Sequence, residues 1–395
     1  MRIADEWCSE HFDHLAPELG AELVPTLARM RERCPVAHSD RYGGFWVITR
    51  YEDVLAVAQN WETFSSAHGL NIPQTPGVVR NLPVEADPPE QRAYKKLINP
   101  HFTPAAVARW EDATRALVHR LADGFLARGE CEFMAEFARA FPALAFFELA
   151  IGAPADEVEH VAHLASRSST PQAPDARECW LGLYEWIKAF TARRREEPPR
   201  GDVVDAIVGG SIDGRPLTED EIIGMVQLLI LGGLETTAGA LGQMFARFAR
   251  DPELADLLRT DPARIAQAVE ELLRLDPPFI AEARTATRDV EVGGQRIGAG
   301  DKVLVYWASA NRDAGEFTNP DEFDLDRERN RHLSFGLGPH RCAGSNLARM
   351  NLRVALEELL PHMLDLAVPA DAKIDYHSTL TRSPLTLPLT FRRTP

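Results

Sequence analysis

The chain has 395 residues, with 43 Lys and Arg against 59 Asp and Glu, so its net charge is −16 when histidine is neutral. Hydrophobic residues make up 45% and charged residues 26%, a globular composition unlike that of disordered, collagen-like or coiled-coil proteins. The negative charge argues against binding to nucleic acid or to an anionic membrane surface.

The cysteines and the apolar segments indicate a reducing, soluble environment. The five cysteines are scattered and form no CxxC pair, so we expect neither a disulfide framework nor a zinc knuckle. The N-terminal segment mixes both charge signs and has no apolar stretch, unlike a signal peptide. The most apolar run, 222–234, suits a buried helix better than a membrane span. We expect a cytoplasmic protein.

The predicted elements are mostly helices, with short strands near the two ends of the chain. A strand over 45–50 leads into a helix over 51–59, and Gly293-Gly294 indicates a hairpin between two short strands. Hydrophobic periodicity predicts further helices at about 104–128, 155–167, 178–195 and 253–275, and residues 302–307 form a predicted strand. The pattern predicts a mainly helical fold with short strands.

One predicted helix is unusually long. Thr218 and Glu221 fit a capping box, and Asp251-Pro252 ends the helix after about 32 residues, or about 48 Å. Its middle, Gly232-Gly233-Leu234-Glu235-Thr236-Thr237, contains residues that weaken helices, so we expect an interruption at a functional site. The alternative is that the glycines allow close packing and Glu235 reaches solvent.

A second unusual segment is the loop Phe335-Gly336-Leu337-Gly338-Pro339-His340-Arg341-Cys342-Ala343-Gly344, which precedes a helix predicted to begin near Ser345. Because Cys342 lies just before that helix N-terminus and beside positive side chains, we expect a lowered thiol pKa. The alternative is an inert core cysteine.

This loop resembles the cysteine-loop signature of the cytochrome P450 family of haem-thiolate monooxygenases. The resemblance implies that Cys342 is the axial ligand of the iron of haem b. It implies that Phe335 packs near the sulfur. It also places Gly336, Gly344 and Ala348 against the cofactor, where the last two permit close approach of the helix.

Two further segments resemble family motifs. Glu271 and Arg274 match the Glu-x-x-Arg motif, and with Arg327 they are implied to lock the loop that leads to Cys342. The segment Gly232-Gly233-Leu234-Glu235-Thr236 resembles the oxygen-activation motif, and the resemblance places Gly233 against the haem. It implies that the catalytic residues are Glu235, which relays protons, and Thr236, which hydrogen-bonds bound dioxygen. The alternative for Thr236 is a hydrogen bond back to its own helix.

Polar partners for the haem propionates are also implied by the resemblance. The candidates are Gln91, Lys95, Arg284 and His340. Many relatives carry His and Arg where this chain has Gln91 and Lys95, and lysine is the poorer bidentate partner. The alternative for Lys95 and Lys96 is a solvated helix face.

The resemblance runs from about Cys34 to Phe391 and is most marked toward soluble bacterial members, notably the camphor-hydroxylase-like group. It implies one triangular haem domain over 1–395, mainly α with a small β-rich side, with 1–33 as a lead-in and without a fused redox domain. We therefore expect a monomer that receives electrons from a separate ferredoxin and its NAD(P)H-dependent reductase. The ferredoxin would dock at the positive side chains Arg341, Lys95, Lys96 and Arg349.

The implied reaction is the hydroxylation of a small to medium apolar organic molecule with O2 and two electrons. By family position, the pocket is lined by Leu70, Ile72, Val78, Leu82, Leu231, Gly232, Phe279, Ile280, Ala281, Thr379 and Leu380. One alternative is a peroxide-driven peroxygenase, although such relatives typically replace the acid–threonine pair that is kept here. The other is a thiolate-haem sensor without turnover, which would not need a proton relay.

Overall fold

The computed structural model describes residues 11–74, 79–168 and 174–393. Helices dominate this part of the chain, and short π-helical segments flank α6 at Met134–Ala138 and Ala145–Ala150. The α-helices are α1 Leu19–Arg33, α2 Tyr51–Gln59, α3 Glu90–Ile98, α4 Pro104–Ala108, α5 Glu111–Arg128, α6 Ala140–Leu144, α7 Val158–Ser168, α8 Ala176–Glu196, α9 Val203–Val208, α10 Glu219–Phe248, α11 Pro252–Thr260, α12 Ile265–Leu275, α13 Trp307–Ala310 and α14 Ser345–Leu359.

The strands of the described residues form one five-stranded sheet and smaller sheets of two or three strands. In the largest sheet the order is β1-β2-β10-β7-β3, where β2 and β10 are parallel and the other neighbours are antiparallel. The predicted mainly α fold with a β-rich side is confirmed. The strands are β1 Val36–Ser39, β2 Phe45–Ile48, β3 Phe64–Ser65, β4 Glu130–Glu132, β5 Ser211–Ile212, β6 Arg215–Pro216, β7 Ala281–Ala286, β8 Val290–Val292, β9 Gln295–Ile297, β10 Lys302–Tyr306, β11 Leu364–Ala367, β12 Tyr376–Ser378, β13 Arg382–Pro384 and β14 Pro388–Arg392.

Helix α10 runs through the interior and organises the molecule. It begins as predicted, with the Thr218 side chain accepting from the Glu221 amide and the Glu221 carboxylate accepting from the Thr218 amide. A Cβ at Gly224 would lie only 2.0 Å from the Arg80 carbonyl oxygen, so glycine is required for this contact. Among the described helices, α10 is long and apolar enough to cross a membrane, but most of its apolar window is buried, as in a core helix.

The expected interruption of α10 is wrong. The helix continues through residues 232–237 without a break. Gly233 packs against the Phe146 ring, where an added Cβ would lie 3.2 Å from a ring carbon, while a Cβ on Gly232 would meet no atom within 4 Å. Packing and burial of the surrounding turns therefore outweigh the weak helix propensity of these residues.

Two of the predicted helices are each divided. The segment 104–128 forms α4 and α5, separated at Arg109 and Trp110, and the segment 253–275 forms α11 and α12. Between the latter two, Pro262 begins a short 3-10 turn, because a proline has no amide proton to continue an α-helix. The predicted hairpin is present, and Gly293 and Gly294 have φ of +54° and +78°, as a type I′ turn requires.

Candidate active site

A cavity of about 790 Å³ lies inside the molecule, between α10 and the cysteine loop 335–344. Gly232, Glu235 and Thr236 line it from α10, and Cys342 and Gly344 line it from the loop. Segments before α3 and strand β12 with the turn after it complete its wall. The two chemistry-bearing motifs of the sequence therefore face one space.

The cysteine loop is built by glycine turns and backbone hydrogen bonds. Gly336 and Gly338 have φ of +63° and +66°, which side-chain-bearing residues rarely adopt. The Cys342 amide donates to the Phe335 carbonyl at 2.8 Å, closing the loop, and α14 begins three residues later. The loop thereby directs the Cys342 side chain into the cavity at a helix N-terminus.

The Cys342 thiol differs from expectation in its pKa. Its sulfur opens onto the cavity but is enclosed by protein, and this enclosure raises the thiol pKa above its usual value. A hydrogen bond from the Gly344 amide and the charges of Lys95, Arg349 and Arg341 oppose this increase. The expected lowering of the thiol pKa is therefore wrong, because desolvation exceeds the effect of the positive groups.

On the opposite wall, Glu235 and Thr236 have different settings. Burial raises the pKa of Glu235, while a hydrogen bond with Ser166 on α7 and the charge of Arg139 favour its ionised form. The Thr236 hydroxyl donates to the Gly232 carbonyl at 2.8 Å, the hydrogen bond back to the helix that the sequence left open. Glu235 faces the cavity rather than bulk solvent, so the solvent-reaching alternative is wrong.

The propionate candidates form a cluster at the cysteine loop. Gln91 and Lys95 both donate to the Pro339 carbonyl, and Lys95 also donates to the Arg341 carbonyl. Lys95 lines the cavity and is half-buried, so it is not a solvated residue, whereas Lys96 is exposed. Burial lowers the pKa of His340 to about 4, and its Nδ1 has no partner among the described residues.

Arg284 is placed differently from the other candidates. Its guanidinium donates to the Glu282 carboxylate at 2.9 Å and to the Ala283 carbonyl at 2.8 Å, and it does not reach the cavity wall. The residue that lines the cavity is instead Glu282. Its charge still acts on His340, so Arg284 lies near the other propionate candidates, and its role toward the haem stays a prediction.

The residues Glu271, Arg274 and Arg327 come together as expected. Arg274 donates to both Glu271 carboxylate oxygens at 2.7 and 2.8 Å, and Arg327 donates to them at 3.1 and 3.2 Å. Glu271 and Arg274 are almost fully buried. The sequence missed Asn330, whose amide also donates to Glu271 at 3.1 Å.

This network continues toward the cysteine loop. Arg274 donates to the Asn311 carbonyl at 2.8 Å, and the Asn311 side chain donates to the Ser334 hydroxyl and accepts from the Leu333 amide. Ser334 immediately precedes Phe335, the first residue of the loop. The buried ion cluster therefore fixes the start of the segment that carries Cys342.

The pocket expectations are met in part. Three of the expected residues do not line the cavity. Ile280 and Ala281 are buried in an apolar cluster with α1. Leu82 is buried beside α10, where its amide donates to the Gly224 carbonyl. Val78 lies outside the described residues. The expected pocket residues that do line the cavity are Leu70, Ile72, Leu231, Gly232, Phe279, Thr379 and Leu380. The expected haem-binding residues that line it include Gln91, Gly233, Phe335, Gly336 and Ala348.

Several contributors were missed by the sequence analysis. Phe146 adds an aromatic ring to the cavity, His14 lies at its edge, and Ser166 bonds Glu235. Phe146 lies in a π-helical segment, a feature often found at functional sites, but no local sequence pattern marks it. The others come from segments distant in the chain.

The residues around the cavity fit a haem. A Cβ added to Gly232 would meet no atom within 4 Å, and one on Gly344 would meet only the Cys342 sulfur at 4.0 Å, so both glycines leave space. A thiol faces that space, and a cysteine thiolate is one of the axial ligands that haem iron takes in proteins. The unpartnered His340 Nδ1 and the remaining N–H groups of Gln91 and Lys95 suit carboxylates at its edge.

A mainly helical fold around a cavity with a cysteine on one wall and an acid–threonine pair on the other defines a haem-thiolate oxidoreductase. Residues 159–385 match the family profile described as Cytochrome P450. The chain belongs to the cytochrome P450 family, so it is a monooxygenase whose cofactor is haem, held by a cysteine thiolate, and whose co-substrate is O2.

The similar proteins are bacterial cytochromes P450. Cytochrome P450-terp of Pseudomonas sp is 30% identical over 94% of each chain. Steroid C26-monooxygenase of Mycobacterium tuberculosis is 31% identical over 87% of this chain and 93% of the relative. The crystal structure of cytochrome P450 CYP101C1 has a TM-score of 0.89 at 28% identity, covering 99% of this chain and 98% of that one.

Proposed function

We propose that this protein hydroxylates a small to medium apolar organic substrate, using electrons from a separate ferredoxin and its NAD(P)H-dependent reductase. The single observation that carries the proposal is the cavity itself, which has Cys342 on one wall and Glu235 with Thr236 on the other. The bound haem would supply the activation of O2, from which one oxygen atom is transferred to the substrate.

Each side chain has its own part in this proposal. Cys342 would ligate the iron, and the Glu271–Arg274–Arg327 cluster would hold the loop that presents it. Gln91, Lys95 and His340 would hold the propionates. Glu235, with its raised pKa, would carry protons into the cavity, and Thr236 would orient them.

The substrate class follows from the cavity wall. Leu70, Ile72, Leu231, Phe279 and Leu380 give it an aliphatic and aromatic surface, to which Phe146 adds. Such a surface binds compact hydrophobic molecules through apolar burial. The name of the mycobacterial relative, a steroid C26-monooxygenase, is consistent with a substrate of this class.

The partner, location and domain organisation complete the proposal. The chain would act as a single haem domain over residues 1–395, as a cytoplasmic monomer. The ferredoxin would dock near Arg341 and Lys96, which are both exposed beside the cysteine loop. Arg349 is less suitable for docking than expected, because its Nε and Nη2 both donate to the Glu270 carboxylate, which neutralises its charge.

The test is the Cys342→Ser variant. We expect it to lose the absorption band typical of a thiolate-ligated reduced carbon monoxide complex, while Cys131→Ser, a buried cysteine away from the cavity, keeps the band. An unchanged band in Cys342→Ser contradicts the assigned ligand.

The same preparation separates the alternatives. Product formation with NAD(P)H, ferredoxin and reductase supports the monooxygenase. Equal product with hydrogen peroxide alone would indicate a peroxygenase. Ligand-dependent spectra without product under either condition would indicate a sensor.

A further inference from the structure

Three side chains that none of the assigned roles uses, and that could all ligate a metal, meet between α7 and α8. His163 lies on α7, Asp175 immediately precedes α8, and Cys179 lies in the first turn of α8. An imidazole nitrogen, a carboxylate oxygen and the sulfur of these residues all lie within 4.8 Å of one another. In the part of the chain that the structure describes, this is the one group of three such residues.

The start of α8 places two of the three side chains together. Asp175 and Cys179 are four residues apart, and the Cys179 amide donates to the Asp175 carbonyl at 2.9 Å, so both side chains lie on one face of the helix. The Cys179 thiol also donates to Asp175 Oδ2 at 3.7 Å. Because α7 packs against α8, His163 reaches the same point from the neighbouring helix.

The spacing of these atoms suits a small cation. In a tetrahedral zinc site with bonds of about 2.0 to 2.3 Å, neighbouring ligand atoms are about 3.3 to 3.7 Å apart. The distance between the Cys179 sulfur and Asp175 Oδ2 already matches this value, and the other distances exceed it by about 1 Å at most. His163 is exposed and its ring makes no hydrogen bond to another described residue, so it can turn to close the remaining distance.

Arg167 contacts the same carboxylate but leaves one of its oxygens available. Its Nε donates to Asp175 Oδ1 at 2.9 Å, and its Nη2 donates to the same oxygen, while Oδ2 faces Cys179. A hydrogen bond to a carboxylate ligand from its outer side is common at metal sites. The Arg167 and Asp175 side chains are 38% and 36% exposed, so solvent screens the repulsion between the guanidinium and a bound cation.

The mixture of sulfur, nitrogen and oxygen decides which cation the cluster suits. Mg²⁺ and Ca²⁺ prefer oxygen ligands alone, whereas Zn²⁺ binds cysteine, histidine and carboxylate ligands in one tetrahedral site. A thiolate and a carboxylate together also balance the charge of one divalent cation. The cluster therefore favours Zn²⁺, with water as the fourth ligand.

We propose that His163, Asp175 and Cys179 form a Zn²⁺ site that joins α7 to the start of α8. On binding, the Cys179 thiol passes its proton to solvent, and the sulfur bonds the metal in place of its hydrogen bond with Asp175. The site lies next to Ser168 and Trp180, which line the cavity, so the metal stabilises this part of the cavity wall. It needs one cysteine and is distinct from a zinc knuckle.

The test measures Zn²⁺ binding by equilibrium dialysis of the haem-loaded protein, in which the iron occupies Cys342. We expect one tightly bound Zn²⁺ per chain and no Mg²⁺ of comparable affinity. His163→Ala and Cys179→Ser should each weaken Zn²⁺ binding at least about tenfold, because even the loss of an outer partner of a metal ligand has an effect of that size. Zn²⁺ should also raise the unfolding temperature of the wild type, but not that of these variants.

Two further variants serve as controls. His160→Ala removes an exposed histidine of α7 that is not part of the cluster, and Cys131→Ser removes a buried cysteine elsewhere. Both should bind Zn²⁺ as the wild type does. The inference is overturned if the wild type binds no Zn²⁺ tightly, or if His163→Ala or Cys179→Ser binds it with the wild-type affinity.

A crystal structure of the wild-type protein with Zn²⁺ tests the ligands without any variant. The anomalous signal of zinc should lie about 2.3 Å from the Cys179 sulfur and about 2.0 to 2.2 Å from atoms of His163 and Asp175. A zinc ion bound elsewhere contradicts the inference. The proposed function is tested separately, because His163→Ala and Cys179→Ser should keep the thiolate-type carbon monoxide spectrum.

Discussion

The Thr236 hydroxyl donates its only proton to the Gly232 carbonyl oxygen, so its two lone pairs remain available to the cavity. It can therefore accept a hydrogen bond from a protonated group or a water there. The hydrogen bond to the helix fixes the direction of these lone pairs. The back-bonded geometry and a role in positioning a proton are thus compatible.

Thr236→Ala should separate electron use from product formation. Without the acceptor, protons reach the cavity less selectively, so hydrogen peroxide should rise while product per NAD(P)H falls about tenfold, equivalent to about 1.4 kcal/mol between competing barriers. The measurement is the ratio of product to NAD(P)H consumed. Thr191→Ala is the control, because that buried hydroxyl also donates to its own helix but does not line the cavity. A wild-type ratio in Thr236→Ala would remove Thr236 from the relay.

Ser166→Ala should change the pH dependence of turnover. Its hydrogen bond favours the ionised Glu235, so its loss should raise a carboxyl pKa that burial already raises. A relay group must release and regain a proton, so the acid limb of the rate–pH profile should move to higher pH. Ser168→Ala, whose hydroxyl bonds within α7, should leave the profile in place, and Ser166→Thr should restore it. Identical profiles for Ser166→Ala and the wild type would count against the contact.

At the residue scale, the sequence predicts what local chemistry encodes. Cys342 is marked by its glycine loop, and Glu235 and Thr236 by their place in an apolar helix. Ser166 and Asn330 are not marked, because each acquires its role only when segments distant in the chain meet. The same is true of Arg284, whose neutralisation by Glu282 depends on side-chain packing.

At the element scale, the buried cluster around Glu271 links α12 to the cysteine loop. Glu271 accepts from Arg274, Arg327 and Asn330, and Arg274 holds the backbone at Asn311 and Pro320. Both guanidiniums also lie over the Phe317 ring. A single carboxylate therefore bonds two cations that support one loop.

Glu271→Gln should destabilise the fold and loosen the haem. Removing the charge leaves Arg274 and Arg327 without their anion in the interior, which costs about 3–5 kcal/mol. The expected results are a lower unfolding temperature and a smaller fraction of protein with bound haem. Asp289→Asn also removes one carboxylate charge, at the exposed pair with Arg296, and should change neither the unfolding temperature nor the haem-bound fraction. Equal unfolding temperatures of the two variants would show that the cluster does not stabilise the loop.

Element boundaries show the same division between local and distant causes. The start of α10 is predicted because Thr218 and Glu221 cap each other within one turn. Pro262 gives a local reason for the break between α11 and α12 that the periodicity obscured. The continuity of α10 through Gly232 and Gly233 could not be predicted, since it depends on Phe146 and on burial by other helices.

At the scale of the whole molecule, the proposed function requires that a strongly acidic protein attract an acidic ferredoxin. The net charge of −16 would repel a ferredoxin in general, so local positive charge beside the cysteine loop has to guide it. Arg341 and Lys96 are exposed there, while Arg349 and Lys95 are engaged by Glu270 and by loop carbonyls. The docking surface is therefore narrower than the sequence predicts.

Arg341→Glu should slow electron transfer and weaken its dependence on salt. Charges steer association most at low ionic strength, because the screening length falls to about 8 Å at physiological salt. The measurement is the rate of reduction by ferredoxin at several salt concentrations. Arg296→Glu, with the same change of charge on the exposed β9 turn, should leave the rate and its salt dependence close to wild type. Equal effects of both variants would mean that the net charge of the protein, and not this site, governs the association. An unchanged rate in Arg341→Glu at low salt would place the docking surface elsewhere.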